Sequence, residues 1–365
     1  DTFAFIIHPI DPKRDVSRKF PLLGKYLSVQ QINFFSTFFP PLYISEITGI
    51  RSAATGKEIR GWFVACPYTP ARMLELPENT VYRKIVQTGK LAEKLGARLL
   101  GLGAFTSVIG DAGITIAKQL SIPVTTGDSY TVVVAVEAVR EAARIMEIPL
   151  AEATVAVVGA TGAVGSVAAE LMARDVAKLW VIGRRAEALE ALRERIASQT
   201  HNSAEIRSST SLSPLAEADL VITVTSAVEA IIEPQHLKPG AVVCDVSRPR
   251  DVSAQVAAAR EDVLVIDGGM VSVPGDVQFN FDFGFPAGMA YACMAETMTL
   301  ALEGCYESYT LGRHITVEQV QRMGQMAAKH GFRLGGFRSF ERAVTPEQIE
   351  RVKTRAAQAR GKAHS

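Results

Sequence analysis

Thr154-Val155-Ala156-Val157-Val158-Gly159-Ala160-Thr161-Gly162-Ala163-Val164-Gly165 is the stretch that decides the fold. Its first five residues are apolar and mostly β-branched, as in a strand buried on both faces. Three glycines follow at intervals of three, and residues 165–174 have the small-residue composition of a helix packed close to that strand. Gly159-x-x-Gly162-x-x-Gly165 differs from a strict GxGxxG in its middle glycine, but the physical demand is the same. The chain must turn sharply, bring its backbone near a pyrophosphate, and aim the unpaired N–H groups of a helix start at that anion. A glycine triplet alone also occurs in ordinary turns; strand before and helix after supply the context that makes it a nucleotide signal. Gly159, Thr161, Gly162, Ala163, Val164 and Gly165 are therefore the expected dinucleotide cradle.

Outward from this turn, strand and helix alternate. Residues 178–182, 220–224, 241–246 and 263–266 read as strands and 187–199 as a helix, a pattern that builds a parallel, doubly wound sheet. The second strand ends in Gly183-Arg184-Arg185. A site for NAD places an acid near here for the ribose 2′-OH, whereas a guanidinium pair suits a 2′-phosphate, so the pattern favours NADP(H) over a merely solvated helix start. Thr225-Ser226 and Gly268-Gly269 follow later strands, where the sheet's crevice lies, and are expected beside the ribose and nicotinamide.

The fold class is thus α/β: a Rossmann NADP-binding domain over 128–286, led by a bridging helix from about 128 to 146, and a separate α/β substrate domain over 1–127 and 287–365 completed by C-terminal helices. In the first part, residues 3–7, 59–65 and 99–108 read as strands and 81–95 as a helix stopped by Gly96. Residues 34–43 are aromatic, broken by Pro40 and Pro41, and read as a loop or groove wall. Residues 287–309, 317–330 and 346–360 read as helices, with a basic polar tail beyond.

Composition narrows the functions. Among 365 residues, 48% are hydrophobic, and the formal net charge of +1 gives no reason to expect a nucleic acid partner. The apolar runs are interrupted before they could span a bilayer, and no histidine motif points to a metal. Four dispersed cysteines, Cys66, Cys244, Cys293 and Cys305, fit a reducing cytoplasm better than a disulfide framework. If a thioester is the substrate, a thiol can take the acyl group before hydride arrives. Cys293, in Ala290-Tyr291-Ala292-Cys293-Met294-Ala295-Glu296, is the candidate, with Glu296 one helical turn on to orient groups or relay a proton. Spacing alone equally allows a small buried hydrophobe. A helix begun at 287 would place Cys293 in its second turn, beyond most of the dipole, leaving Arg313 and His314 as possible activators.

Six segments extend the pattern beyond the glycine turn: Arg14-Asp15-Val16-Ser17-Arg18, Leu102-Gly103-Ala104-Phe105-Thr106-Ser107-Val108-Ile109, Thr125-Thr126-Gly127, Ala153 through Gly162, Ala292-Cys293-Met294-Ala295-Glu296 and Lys329-His330-Gly331-Phe332. Together they resemble the long-chain fatty acyl-[acyl-carrier-protein] reductases best known from cyanobacteria, over about residues 5–332. The resemblance implies acylation of Cys293 by a fatty acyl carrier protein, or by acyl-CoA, and NADPH-dependent release of a fatty aldehyde. It also implies handover of that aldehyde to an aldehyde-deformylating oxygenase. Oxyanion donors are expected from backbone N–H groups near Gly268-Gly269 or Thr106-Ser107. The alkyl chain is expected against residues 34–43 and the Ala/Met-rich helix. The chain departs from the family around 34–42 and in its longer tail. The other expectations weighed are a noncovalent oxidoreductase of the shikimate-dehydrogenase type and a non-enzymatic NADP(H)-binding protein.

Overall fold

The computed structural model describes residues 1–199 and 204–363, with the side chains of 360–363 outside that description; the last two residues of the expected tail also lie outside it. The chain forms two compact units. The first comprises Asp1–Tyr130, Val271–Ile315 and Gln319–Gly335, and the second Thr131–Met270, Thr316–Glu318 and Gly336–Ser365.

In the second unit six parallel strands stand in the order Leu264–Asp267, Val242–Asp245, Leu220–Thr223, Thr154–Val158, Lys178–Ile182, Glu205–Ser209. Numbered along the chain this is 6-5-4-1-2-3, the Rossmann order, with the direction of winding reversing between Thr154–Val158 and Leu220–Thr223. Leu220–Thr223 and Val242–Asp245 are buried end to end and Thr154–Val158 all but its first residue, which explains their unbroken apolar runs. The edge strand Glu205–Ser209 escapes sequence reading because an edge needs no apolar run; it is half exposed and reads EIRSS.

The first unit is built on a mixed sheet. Thr2–Ile7 pairs in parallel with Glu58–Ala65 and Leu100–Leu102, and Leu100–Leu102 with Val124–Thr125. Leu42–Arg51 and Gly275–Gln278 add antiparallel strands at the other side. Phe3, Phe5, Ile6, Phe63, Leu100 and Leu102 are fully buried at its centre.

The two largest differences from the expected boundaries concern residues 271–286 and the tail. Residues 271–286 fall in the first unit, because Gly275–Gln278 pairs with Leu42–Arg51 and Val271 with Leu334. The tail from Gly336 falls in the second, where the backbone N–H of Glu341 donates to Asp267 at 3.1 Å and Phe340 packs on the apolar core. Only residues 37–41, with Pro40 and Pro41, form the expected loop: Val29–Ser36 is a helix opened by a Ser28–Gln31 capping box, and Leu42 already begins a strand. Strand 99–108 is also shorter than read, ending at Leu102 before a helical turn, Phe105–Val108.

Candidate active site

The glycine turn has the geometry its sequence demands. Gly159 holds φ +81°, and a Cβ there would lie 2.2 Å from the Val224 carbonyl, where the winding reverses. A Cβ on Gly165 would lie 2.4 Å from the Gly159 carbonyl, so only glycine lets the helix pack on the turn. Gly162, exposed, caps the helix Ala163–Met172 with no side-chain oxygen, which leaves the helix start to an external anion. Arg184 and Arg185 are exposed and, among the described residues, no ion pair engages them. These residues fit a dinucleotide bearing a 2′-phosphate.

Two other expected cofactor contacts are committed elsewhere. The Thr225 N–H donates to Ser247 Oγ at 2.8 Å and its hydroxyl to Asp251 at 2.5 Å, inside a network joining Thr223, Ser247 and Asp251. Ser226 beside it is exposed. Gly268 and Gly269 are buried, and the Gly268 N–H donates to the Asp245 carbonyl at 2.8 Å. A Cβ on Gly268 would meet Val246 Cγ2 at 2.7 Å, so this pair serves first as a tight turn.

The thiol site lies wholly in the first unit. The expected helix over 287–309 is in fact Ala292–Glu303, preceded by the short strand Met289–Tyr291. Cys293 is therefore the second residue of its helix, inside the first turn, where unpaired N–H groups and the dipole favour a negative sulfur. Tyr291 caps the helix without a side-chain hydrogen bond. Gly127, at φ +82°, packs against the backbone and Cβ of Cys293: a Cβ on it would lie 2.3 Å from Cys293 Cβ and 2.4 Å from its Cα. The next residue, Asp128, opens the helix Asp128–Ile145.

Cys293 is half-buried. Burial, reinforced by the Asp128 and Glu296 carboxylates, pushes its thiol up to about 12, against the pull of the Met294 N–H. Burial and the Glu296 charge push Asp128 up to about 7, poised to exchange a proton at neutral pH. Asp128 does not stand out in the sequence, because an acid in the first turn of a helix is common. Arg313, one of the possible activators, donates instead to the Gly110 carbonyl at 2.7 Å, and the carboxylates of Asp128 and Glu296 act on the thiol.

Glu296 is fully buried and accepts from Thr125 Oγ1 at 2.5 Å, Thr310 Oγ1 at 2.7 Å and the Tyr130 N–H at 2.8 Å. Its carboxyl is thus an anchor that ties the thiol helix to residues 125–130, and burial raises its pKa. Thr106 and Ser107 donate their backbone N–H groups to Gly103 and Ala104 within their own turn, so neither is spare for an oxyanion. Phe34, Phe35, Phe38, Phe39 and Tyr43 are all exposed, Phe38 by 69%, and do not form an enclosed wall.

A second constellation imitates a nucleophilic triad. Ser52 Oγ lies 2.8 Å from His330 Nδ1, and His330 Nε2 lies 2.7 Å from Glu303. Ser52 is buried and accepts from the Thr55 N–H, so the group is a staple between a turn and two helices. Among the described residues no cluster of three His, Cys, Asp or Glu could hold a metal, and no helix is long and apolar enough to cross a membrane. Cys66 and Cys244 are buried strand-end and strand residues whose thiols burial drives upward, to about 11 at Cys66.

Comparison with known proteins returns to both units. A family profile for shikimate/quinate 5-dehydrogenases matches residues 140–267. The long-chain acyl-[acyl-carrier-protein] reductase of Synechococcus elongatus is 30% identical over 347 residues, spanning 90% of this chain and 98% of that protein. The aminotransferase PigE of a Serratia species is 29% identical over 312 residues; the match spans 83% of this chain but only 35% of PigE. Among solved structures, L-tryptophan dehydrogenase from Nostoc punctiforme aligns over 99% of this chain and 88% of its own, at 12% identity and a TM-score of 0.41.

Proposed function

Because the chain belongs to the long-chain acyl-[acyl-carrier-protein] reductase family, we propose that it reduces a long-chain acyl thioester, presented by an acyl carrier protein in a reducing cytoplasm, to the fatty aldehyde through an acyl group held on Cys293. The observation that carries this reading is the position of Cys293 in the first turn of a helix, with Gly127 packed against its Cβ and the Asp128 carboxylate acting on its thiol.

In the proposed sequence Asp128 takes the thiol proton as Cys293 Sγ attacks the thioester carbonyl. The S–C bond to the enzyme forms, the bond to the carrier sulfur breaks, and the proton held on Asp128 leaves with the carrier thiol. N–H groups at the start of Ala292–Glu303 favour the anionic sulfur and the developing oxyanion. The Gly159–Gly165 turn holds the cofactor pyrophosphate and Arg184 and Arg185 its 2′-phosphate, which selects NADPH. When bound, NADPH supplies the hydride. Breakage of the Cys293 Sγ–C bond then releases the aldehyde and returns the thiolate, which takes its proton from solvent water, directly or by way of the Asp128 carboxylate. Glu296 keeps Cys293 and Asp128 in register through its bonds to Thr125, Tyr130 and Thr310.

Intact-mass analysis tests the covalent step. Without NADPH, palmitoyl-acyl carrier protein leaves one palmitoyl adduct on the wild type and none on Cys293→Ala, and NADPH discharges the adduct as hexadecanal. Cys293→Ala binds NADPH normally and loses aldehyde production by at least ~10³-fold. Wild-type rates of aldehyde from that variant would remove the covalent intermediate.

A further inference from the structure

The loop over residues 224–230 leaves the strand Leu220–Thr223 at the point where the winding of the Rossmann sheet reverses. It touches the glycine turn directly. A Cβ on Gly159 would lie 2.2 Å from the Val224 carbonyl oxygen and 3.2 Å from Thr225 Cγ2. Ser226, Val228, Glu229 and Ala230 are exposed, so burial of side chains does little to fix the course of this loop.

Asp251, fully buried, holds the loop at both ends. Its carboxylate accepts from Thr225 Oγ1 at 2.5 Å and from the Thr225 N–H at 3.1 Å. Its main-chain carbonyl accepts from the N–H groups of Ile231 and Ile232 at 2.8 and 2.9 Å. The carboxylate also takes the hydroxyl of Thr223, at 2.5 Å, and that of Ser247. Asp251 belongs to the loop after the neighbouring strand Val242–Asp245. Asp245 folds that loop back over its own strand by accepting from the N–H groups of Ser247 at 3.1 Å and Val252 at 3.0 Å. Thr225 carries the restraint onward, since its hydroxyl accepts from the Ala227 N–H at 3.1 Å. All of these residues lie within the second unit.

We propose that Asp251 is a positioning residue for the nucleotide crevice: through Thr225 it fixes the loop 224–230 against Gly159 and so sets the space beside the turn that takes the dinucleotide. This rests on the Gly159–Gly165 turn as the cofactor cradle. Burying a carboxylate costs desolvation that a neutral side chain would avoid, and the four hydrogen bonds it accepts serve largely to offset that cost. What the carboxylate adds is direction, because two acceptor oxygens with their own donors allow one course for the loop. The restraint acts on NADPH and NADH alike, since the 2′-phosphate is assigned to Arg184 and Arg185, after the strand Lys178–Ile182.

Nicotinamide fluorescence titration tests this without turnover. Asp251→Asn keeps the size of the side chain but cannot accept from every donor, and it raises the Kd for NADPH and for NADH by at least ~10-fold each. Thr225→Val, which removes the hydroxyl that links carboxylate to loop, raises both by ~3–10-fold. Thr223→Val removes a bond to the same carboxylate from the strand side; it lowers Tm but changes either Kd by less than ~2-fold. In aldehyde formation Asp251→Asn raises KM for NADPH and keeps kcat within ~3-fold, whereas a mere loss of folded enzyme lowers kcat and leaves KM alone. Alkylation of Cys293 by iodoacetamide, read in the first unit, keeps its wild-type rate in all three variants. An unchanged Kd in Asp251→Asn, or in Thr225→Val should Asp251→Asn fail to fold, overturns the assignment. So does an equal rise in Thr223→Val and Thr225→Val. A wild type that binds neither nucleotide overturns the cradle itself, a failure visible before any variant is made.

Discussion

Two helix starts in this molecule, one in each unit, solve related problems with opposite enclosures. At Gly162 and at Tyr291 a helix opens without a capping side-chain oxygen, and beside each a glycine with φ near +80° comes so close that a Cβ would collide. At the first, Gly159 meets the end of a strand, Gly162 is exposed, and the nearby charges are the cations Arg184 and Arg185. At the second, Gly127 meets Cys293 itself, and the nearby charges are the carboxylates of Asp128 and Glu296. An open start with cations suits an anion arriving from solvent. A closed start with carboxylates holds its thiol protonated until a base and a substrate are both present. The backbone physics is shared, and the surrounding charge decides whether the site binds or reacts.

The sharpest break in this comparison is removal of the base. Asp128→Asn is expected to slow acylation of Cys293 by ~10²–10⁴-fold, read by single-turnover mass spectrometry. In the wild type acylation rises with pH through about 7, as Asp128 ionises; in the variant that step is lost. The same loss of a neighbouring negative charge lowers the thiol pKa, so iodoacetamide modification of Asp128→Asn begins at lower pH than in the wild type. The linkage to stability has a definite sign. Because the folded-state pKa of Asp128 is raised above its ordinary value, its stabilising contribution is complete at low pH and fades as pH climbs through about 7. Thermal denaturation between pH 4 and 8 shows a weaker downward trend in Asp128→Asn, and an identical trend would contradict this assignment.

Next in size is the glycine at the closed start. Gly127→Ala combines a positive φ with a collision at the Cα and Cβ of Cys293 and is expected to cost about 1–3 kcal/mol, with a matching fall in Tm. The open start tolerates the same change better. Gly162 has φ −80°, and its added Cβ would stand 3.3 Å from the Gly159 carbonyl, so Gly162→Ala should change stability by roughly 0.5 kcal/mol or less while weakening NADPH binding. Between these lies the cation pair. Arg184→Ala with Arg185→Ala is expected to raise the NADPH Kd by ~10–100-fold and leave that for NADH nearly unchanged, measured by nicotinamide fluorescence. Equal losses for both nucleotides would assign the pair to something other than the 2′-phosphate.

How much of each site could be read beforehand follows from how it is assembled. The open start is one continuous segment, and strand, turn and helix each leave a local mark in residues 154–165. The closed start joins residues 125–130 to residues 291–296, and neither piece is distinctive alone. Thr225 has the right residue type and place for a ribose contact, yet its N–H and hydroxyl are taken by Ser247 and Asp251, which only the folded loop brings near. Glu296 was visible as a partner of Cys293 one helical turn away, but its engagement with Thr125 and Thr310 makes it an anchor and leaves the proton to Asp128.

From its sequence alone this protein reads as a Rossmann nucleotide binder, because glycine spacing, strand composition and the arginine pair express local backbone and charge requirements, while Cys293 is singled out only by the resemblance to acyl reductases. Where Cys293 sits on its helix, which carboxylates act on its thiol and which unit the tail joins were decided by tertiary structure. Those features depend on side chains distant along the chain, and close packing, rather than local propensity, sets which of them meet.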